Sequence, residues 1–143
     1  MAIEWNDRLF LSHEQLDDDH RVMAALINKL YLSVNEDFGR DAVASAAREL
    51  LKFSHAHFSH EKGLMAQHDY PEMDSHLAEH KTLIDELRGL IAIIESENGQ
   101  VRFETVEFLD DWFAAHLKTA DAHFADFLGR RDTFAEIAVE PRD

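Results

Sequence analysis

Between His57 and His80 the chain reads HFSHEKGLMAQHDYPEMDSHLAEH, a stretch in which imidazole and carboxylate side chains recur at intervals of four. His57 and Glu61 form one such pair, His76 and His80 another, and Tyr70-Pro71 lies between them. Residues four apart on an α-helix stand about 40° apart around its axis and one turn along it, so each pair aims two donor groups the same way. A pair on either side of a helix break implies a metal site between two antiparallel helices. His68 and Glu72 have the same spacing, but Pro71 falls between them and they cannot act as one helical pair.

The elements that must carry these pairs follow from the breaks. With 5 glycines and 2 prolines in 143 residues, breaks are few, and they fall near Phe38-Gly39, at Tyr70-Pro71 and at Asn98-Gly99. This predicts helices over about 17–36, 41–68, 72–96 and 101–128, with a short tail over 129–143. Apolar residues recur at three and four in each segment: Leu16, Met23, Ile27, Tyr31 and Val34; Leu50, Phe53 and Leu64; Leu83, Leu87, Leu90 and Ile94; Leu109, Phe113, Ala120 and Phe127. Short connections force neighbours to run antiparallel. The predicted fold is all-α, an up-down-up-down antiparallel four-helix bundle in one domain.

Further donors lie on these inward stripes. His20 is in line with Leu16, Met23 and Ile27, and in the last helix His116 and Asp121 are five apart, about 140° around a regular helix, so they should reach inward from the two edges of the Phe113, Leu117, Ala120 stripe. Rise per residue then gives heights. His20 is 19 residues before residue 39 and His57 is 18 after it, while His80 and His116 are each 17 to 19 residues from the break at 98–99. All four should stand roughly 26 to 28 Å from one end of the bundle. Each helix therefore contributes a histidine to one layer, with Glu61, His76 and Asp121 about a turn beyond it. Burying five imidazoles and two carboxylates without a metal would leave many polar groups unsatisfied. Stripping that metal should expose the cost, with the buried Glu61 and Asp121 carboxyls rising in pKa. His13, His55, His60, His68 and His123 fall off the stripes or near their ends and are expected at the surface or supporting the ligands.

Composition narrows the function. A formal charge of −15 disfavours nucleic acid and anionic membrane surfaces. Without cysteine there is no disulfide, thiolate ligand or thiol nucleophile, so any metal must use nitrogen and oxygen. No apolar run approaches the roughly 20 residues that span a bilayer, and the opening MAIEWNDRLF has no basic start followed by an apolar run. The expectation is a cytoplasmic monomer with no membrane insertion.

These residues resemble the hemerythrins, and in particular the single-domain bacteriohemerythrins. The resemblance runs from Trp5 to Leu128, through the acidic DDDH ending at His20, Asn28, His57-Phe58 with Glu61, Leu64-Met65, Tyr70-Pro71, His76 with His80, and Trp112 with His116 and Asp121. It implies two non-heme iron ions, one bound by His76, His80 and His116 and the other by His20 and His57, with Glu61 and Asp121 bridging them beside an oxo or hydroxo group. Lys62 departs from the family pattern where a second acidic residue often follows the bridging glutamate, and Phe113 departs where a smaller aliphatic residue often lines the oxygen pocket. Counting donors to six-coordinate irons leaves the second iron one short. Dioxygen is expected there, walled by Met23, Ile27, Phe58, Phe113 and Leu117.

The implied function is reversible dioxygen binding for transport, storage or sensing, without enzymatic activity. The alternatives are a diiron oxidoreductase handling peroxide or nitric oxide, or an oxygen-responsive signalling module acting through a separate, unidentified protein partner. Ferritin-like diiron enzymes use Glu-x-x-His motifs, which this sequence lacks.

Overall fold

The computed structural model describes residues 14–96 and 103–129; His13, the turn at Asn98-Gly99, residues 101–102 and the tail beyond residue 129 lie outside them. Within those bounds the elements are α1 (Glu14–Asn35), α2 (Arg40–Gln67), α3 (Met73–Glu95) and α4 (Phe103–His116). A π-helical turn (Leu117–Asp121) follows α4 without interruption, and helix resumes over 122–129. Among the described residues there is no strand, and none of their helices is long and apolar enough to cross a membrane. The helix limits differ from the expected ones by one to three residues wherever both ends are described. The π turn is the exception to a regular fourth helix.

The first two reversals happen slightly earlier than the Gly and Pro positions suggest. Asp37 and Asp69 adopt φ of 53° and 52°, in the left-handed region. Around each, the two backbone bonds of a Schellman cap close the preceding helix: Phe38 N–H to the Ser33 carbonyl at 3.0 Å with Asp37 N–H to Val34 at 3.2 Å, and Tyr70 N–H to Met65 at 2.9 Å with Asp69 N–H to Ala66 at 3.3 Å. Aspartate tolerates this conformation better than most residues because its short side chain can bond locally. Gly39, at φ +99°, then turns the chain into α2. Arg40 ties the ends together by donating to the Ile94 carbonyl at 2.5 Å and the Ser96 carbonyl at 2.9 Å, which satisfies the otherwise orphaned end of α3.

Around the bundle α1 packs on α2 and α4, and α3 on α2 and α4. The core is divided. A larger apolar cluster, including Met23, Ile27, Leu30, Leu50, Leu83, Leu87, Leu109 and Phe113, fills the end near the α1–α2 turn. A smaller one, Leu16, Met65, Tyr70, Phe124 and Leu128, fills the end near the α2–α3 turn. The polar side chains His20, His57, Glu61, His76, His80, His116 and Asp121 are all buried as well. They occupy the layer between the two clusters, where both ends of the bundle exclude water from them.

Candidate metal centre

The seven donors come together at the bundle axis. His20 from α1 and His57 from α2 have ring centroids 5.0 Å apart; His76 and His80 from α3 and His116 from α4 form a triangle with sides of 4.5, 4.9 and 5.0 Å. Every one of these residues is at most 3% exposed. The five Nε2 atoms face two carboxylates, and each carboxylate divides its oxygens between the two sets of rings. Glu61 Oε2 is 2.5 Å from His57 and 3.5 Å from His20, while its Oε1 is 3.0 Å from His76 and 3.2 Å from His80. Asp121 Oδ2 is 3.1 Å from His20, and its Oδ1 is 2.9 Å from both His76 and His116.

The π turn explains how Asp121 reaches this position. On a regular helix it would stand about 140° from His116. A π-helix closes i→i+5 bonds and winds roughly 4.4 residues per turn, so residues five apart stand only about 50° apart. The register shift is visible in the bond from Ala122 N–H to the Leu117 carbonyl. The Thr119 hydroxyl donates to the Ala115 carbonyl at 2.8 Å, giving that acceptor a partner where the backbone register changes. His116 and Asp121 thus approach from one side of the helix, not from the two edges of a stripe as its sequence suggests.

Outer contacts orient two of the rings. Asp19 Oδ2 is 2.8 Å from His57 Nδ1, and Glu79 Oε1 is 3.0 Å from His116 Nδ1. Each carboxylate therefore holds the ring by its far nitrogen and leaves Nε2 facing inward. Sequence reasoning did not assign these two roles, although a signal exists: Asp19 immediately precedes His20 and Glu79 immediately precedes His80. A residue one before an inward ligand is turned about 100° toward the neighbouring helix, where it meets that helix's ligand. Trp112 adds a stacked face to His116, with centroids 4.7 Å apart at 12°.

Of the other histidines, His55 lies 3.2 Å from Arg88, His60 3.9 Å from Asp19 and His123 3.8 Å from Glu72, all outside the buried layer. His68 is half-buried near the α2–α3 turn. The residues expected to wall an oxygen pocket, Met23, Ile27, Phe58, Phe113 and Leu117, are all buried in the larger apolar cluster. Phe113 stands edge-on to His20, with centroids 6.0 Å apart. Phe58 is shared between the two sets: it stacks on His80 at 3.7 Å and 6°, and is 5.8 Å from His57.

Protonation follows this geometry. Burial works against a charged ring at His20 and His76, but Asp121 and Glu61 outweigh it and raise both to about 9. Burial is likewise overcome at His57 by Glu61 and at His116 by Asp121, so both are raised. At His80 burial prevails and the ring is lowered. Burial pushes the Glu61 carboxyl up, yet four surrounding imidazoles hold it well below the usual range. Asp121 is pushed up by burial and by Glu61, and His116 and His20 reverse this to leave it lowered. The expectation that metal-free carboxyls here rise in pKa is thus corrected. The imidazoles that would share a metal with them solvate their charge when no metal is bound.

Much of the cluster is close without being aligned as hydrogen bonds. Both ring nitrogens of His20 and His80, Nε2 of His57 and His116, Glu61 Oε2 and Asp121 Oδ1 are buried with no hydrogen-bond partner. Donors bound at about 2.0–2.2 Å and at right angles to one another stand about 3 Å apart, which matches these separations. Two overlapping groups could each hold an ion: Glu61, His76, His80, His116 and Asp121, and His20, His57 and Glu61. Imidazole and carboxylate donors without sulfur suit divalent first-row metals such as iron, with zinc a competitor.

Residues 11–128 match the family model described as the hemerythrin HHE cation binding domain. The chain belongs to the hemerythrin family. At the family level this is non-heme iron and oxygen binding. Similar proteins include a hemerythrin-like protein of Naegleria gruberi, 27% identical over 124 residues that cover 87% of this chain and 92% of the relative. A bacteriohemerythrin of Clostridium acetobutylicum is 25% identical, with 85% of this chain and 98% of the relative covered. A myohemerythrin of Theromyzon tessulatum is 23% identical, covering 82% and 87%. The hemerythrin fold also superposes on a solved crystal structure of a leucine-to-phenylalanine mutant, with TM-score 0.80 at 24% identity, covering 88% of this chain and 97% of the other.

Proposed function

We propose that this hemerythrin binds dioxygen reversibly at two iron ions, one held by His76, His80 and His116, the other by His20 and His57, with Glu61 and Asp121 serving both. The observation that carries the reading is the division of the carboxylate oxygens, one facing each set of imidazoles. When bound, such an iron pair would supply the electrons and the Lewis acidity for holding dioxygen.

The chain's own residues do the rest. Three imidazoles serve one set and two the other, so the protein leaves the His20–His57 side one donor short, and we place the ligand there. Phe113, edge-on to His20, and the buried Met23, Ile27, Phe58 and Leu117 keep water and its protons from that side. Asp19 and Glu79 hold His57 and His116 in the orientation and tautomer that leave Nε2 free to bind. Ligation displaces protons from the raised imidazoles, so metal uptake is coupled to proton release. An apolar wall beside a histidine-rich site favours a carrier over a catalyst.

The test is the visible absorption of the reduced, iron-loaded protein before air, after air and after deoxygenation, with iron content measured on the same sample. Colour that appears with air and disappears on deoxygenation, at two irons per chain, is the expected result. One iron in fully loaded protein, or colour that cannot be reversed, would overturn the reading.

A further inference from the structure

Serine and threonine hydroxyls on these helices commonly turn back to the preceding turn. Ser33 donates to the Leu30 carbonyl at 2.7 Å, Ser75 to Glu72 at 3.0 Å, Thr82 to Ala78 at 3.2 Å and Thr119 to Ala115 at 2.8 Å. Ser54 does not. It is 0% exposed, and its Oγ has no hydrogen-bond partner. A buried hydroxyl left unpaired costs about 1–3 kcal/mol, so its burial needs a reason.

Its placement on α2 supplies one. Seven residues are two turns less about 20°, so Ser54 points almost in the direction of Glu61, whose carboxylate reaches imidazoles of α1, α2 and α3 at the bundle axis. Along the axis it stands one turn, about 4.5 Å, from His57 on the side of the larger apolar cluster. Met23, one turn from His20 on α1, and Phe113, one turn from His116 on α4, belong to that cluster, and rise per residue puts them at a corresponding height. Ser54 therefore offers a hydroxyl toward the bundle axis at that height, about 60° around α2 from His57 and about 40° from Phe58, whose ring stands 5.8 Å from that of His57.

We infer that Ser54 is a ligand-binding residue, its hydroxyl donating a hydrogen bond to the outer atom of a small two- or three-atom ligand bound on the His20–His57 side. The inference rests on the two-iron reading above. It assigns the pocket a chemical preference: ligands with an accepting outer atom gain from the hydroxyl, whereas monatomic ligands have no such atom and gain nothing. The same contact makes up for the cost of the unpaired hydroxyl only when a ligand is present.

The experiment compares wild type, Ser54→Ala and Ser54→Thr as full-length, iron-loaded, oxidised proteins, titrated with azide and separately with chloride and followed by absorption. With two irons retained, Ser54→Ala should weaken azide about three- to tenfold, leave chloride within about twofold, and Ser54→Thr should restore azide binding. Metal-free Ser54→Ala should melt no lower than metal-free wild type, because the hydroxyl it removes has no partner there. Unchanged azide affinity, an equal loss of azide and chloride, or a clearly lower melting temperature of the metal-free variant would each overturn the assignment. If wild type itself fails to hold two irons, the two-iron reading falls first, and iron analysis separates that failure from a Ser54 effect.

Discussion

Removing the metal should convert the centre into a set of buried ion pairs, with a stability that falls as the solution becomes alkaline. His20 and His76 are each raised from 6.5 to about 9, because Asp121 and Glu61 favour their charged forms over the opposing effect of burial. Since a tenfold change in proton affinity is worth about 1.4 kcal/mol, each ring contributes about 3 kcal/mol when protonated. The two share the same carboxylates, so their joint contribution lies between about 3 and 6 kcal/mol. A raised histidine pKa gives stability that is fully present below 6.5 and is lost as pH rises through 9. The lowered Glu61 and Asp121 work in the other direction: their contribution is present above the ordinary carboxylate pKa and is lost as pH falls below it. His80, lowered by burial, adds a cost as pH drops below 6.5. Metal-free protein should therefore be most stable between about pH 5 and 6.5 and lose at least about 3 kcal/mol by pH 9.5, a large share of a typical domain's stability. Urea denaturation of chelator-treated protein at pH 6 and pH 9.5 measures this directly. The iron-loaded form should change less, since bound metal replaces those protons. Metal-free stability that is flat or rising over that interval would refute the ion-pair account.

Three further outcomes follow from particular side chains. Leu117→Ser, at a fully buried position of the π turn, should keep both irons but speed autoxidation of the oxygenated form and lower the melting temperature, as large-to-small core changes cost about 2–5 kcal/mol; stopped-flow decay beside iron analysis checks both. Asp19→Ala and Glu79→Ala should each weaken metal retention about 10- to 100-fold by freeing His57 or His116, read as iron loss to a chelator, and equal loss rates in variant and wild type would remove their supporting role. Asp69→Gly should stabilise the fold by about 0.5–1 kcal/mol, because glycine adopts the φ of 52° without strain, and thermal melting measures it.

The sequence by itself determined the four helices and the identity of the inward donors, because both depend on periodicity along one helix at a time. Leu16, His20, Met23 and Ile27 lie along one side of an α-helix whatever surrounds them, and rise per residue predicts that His20, His57, His80 and His116 share a level. Tertiary structure decided what one helix cannot contain. The π turn between His116 and Asp121 breaks the regular period, and its effect shows only where Asp121 meets His20, His76 and His116. The roles of Asp19 and Glu79 depend on which ring the adjacent helix presents to them. The low carboxyl pKa values reverse an expectation based on burial alone, since Coulomb and hydrogen-bond effects act through space among groups far apart in the chain. Ser54 looks like an ordinary helical serine in the sequence. Its unpaired hydroxyl became visible only once the other three helices closed around it and withdrew it from water.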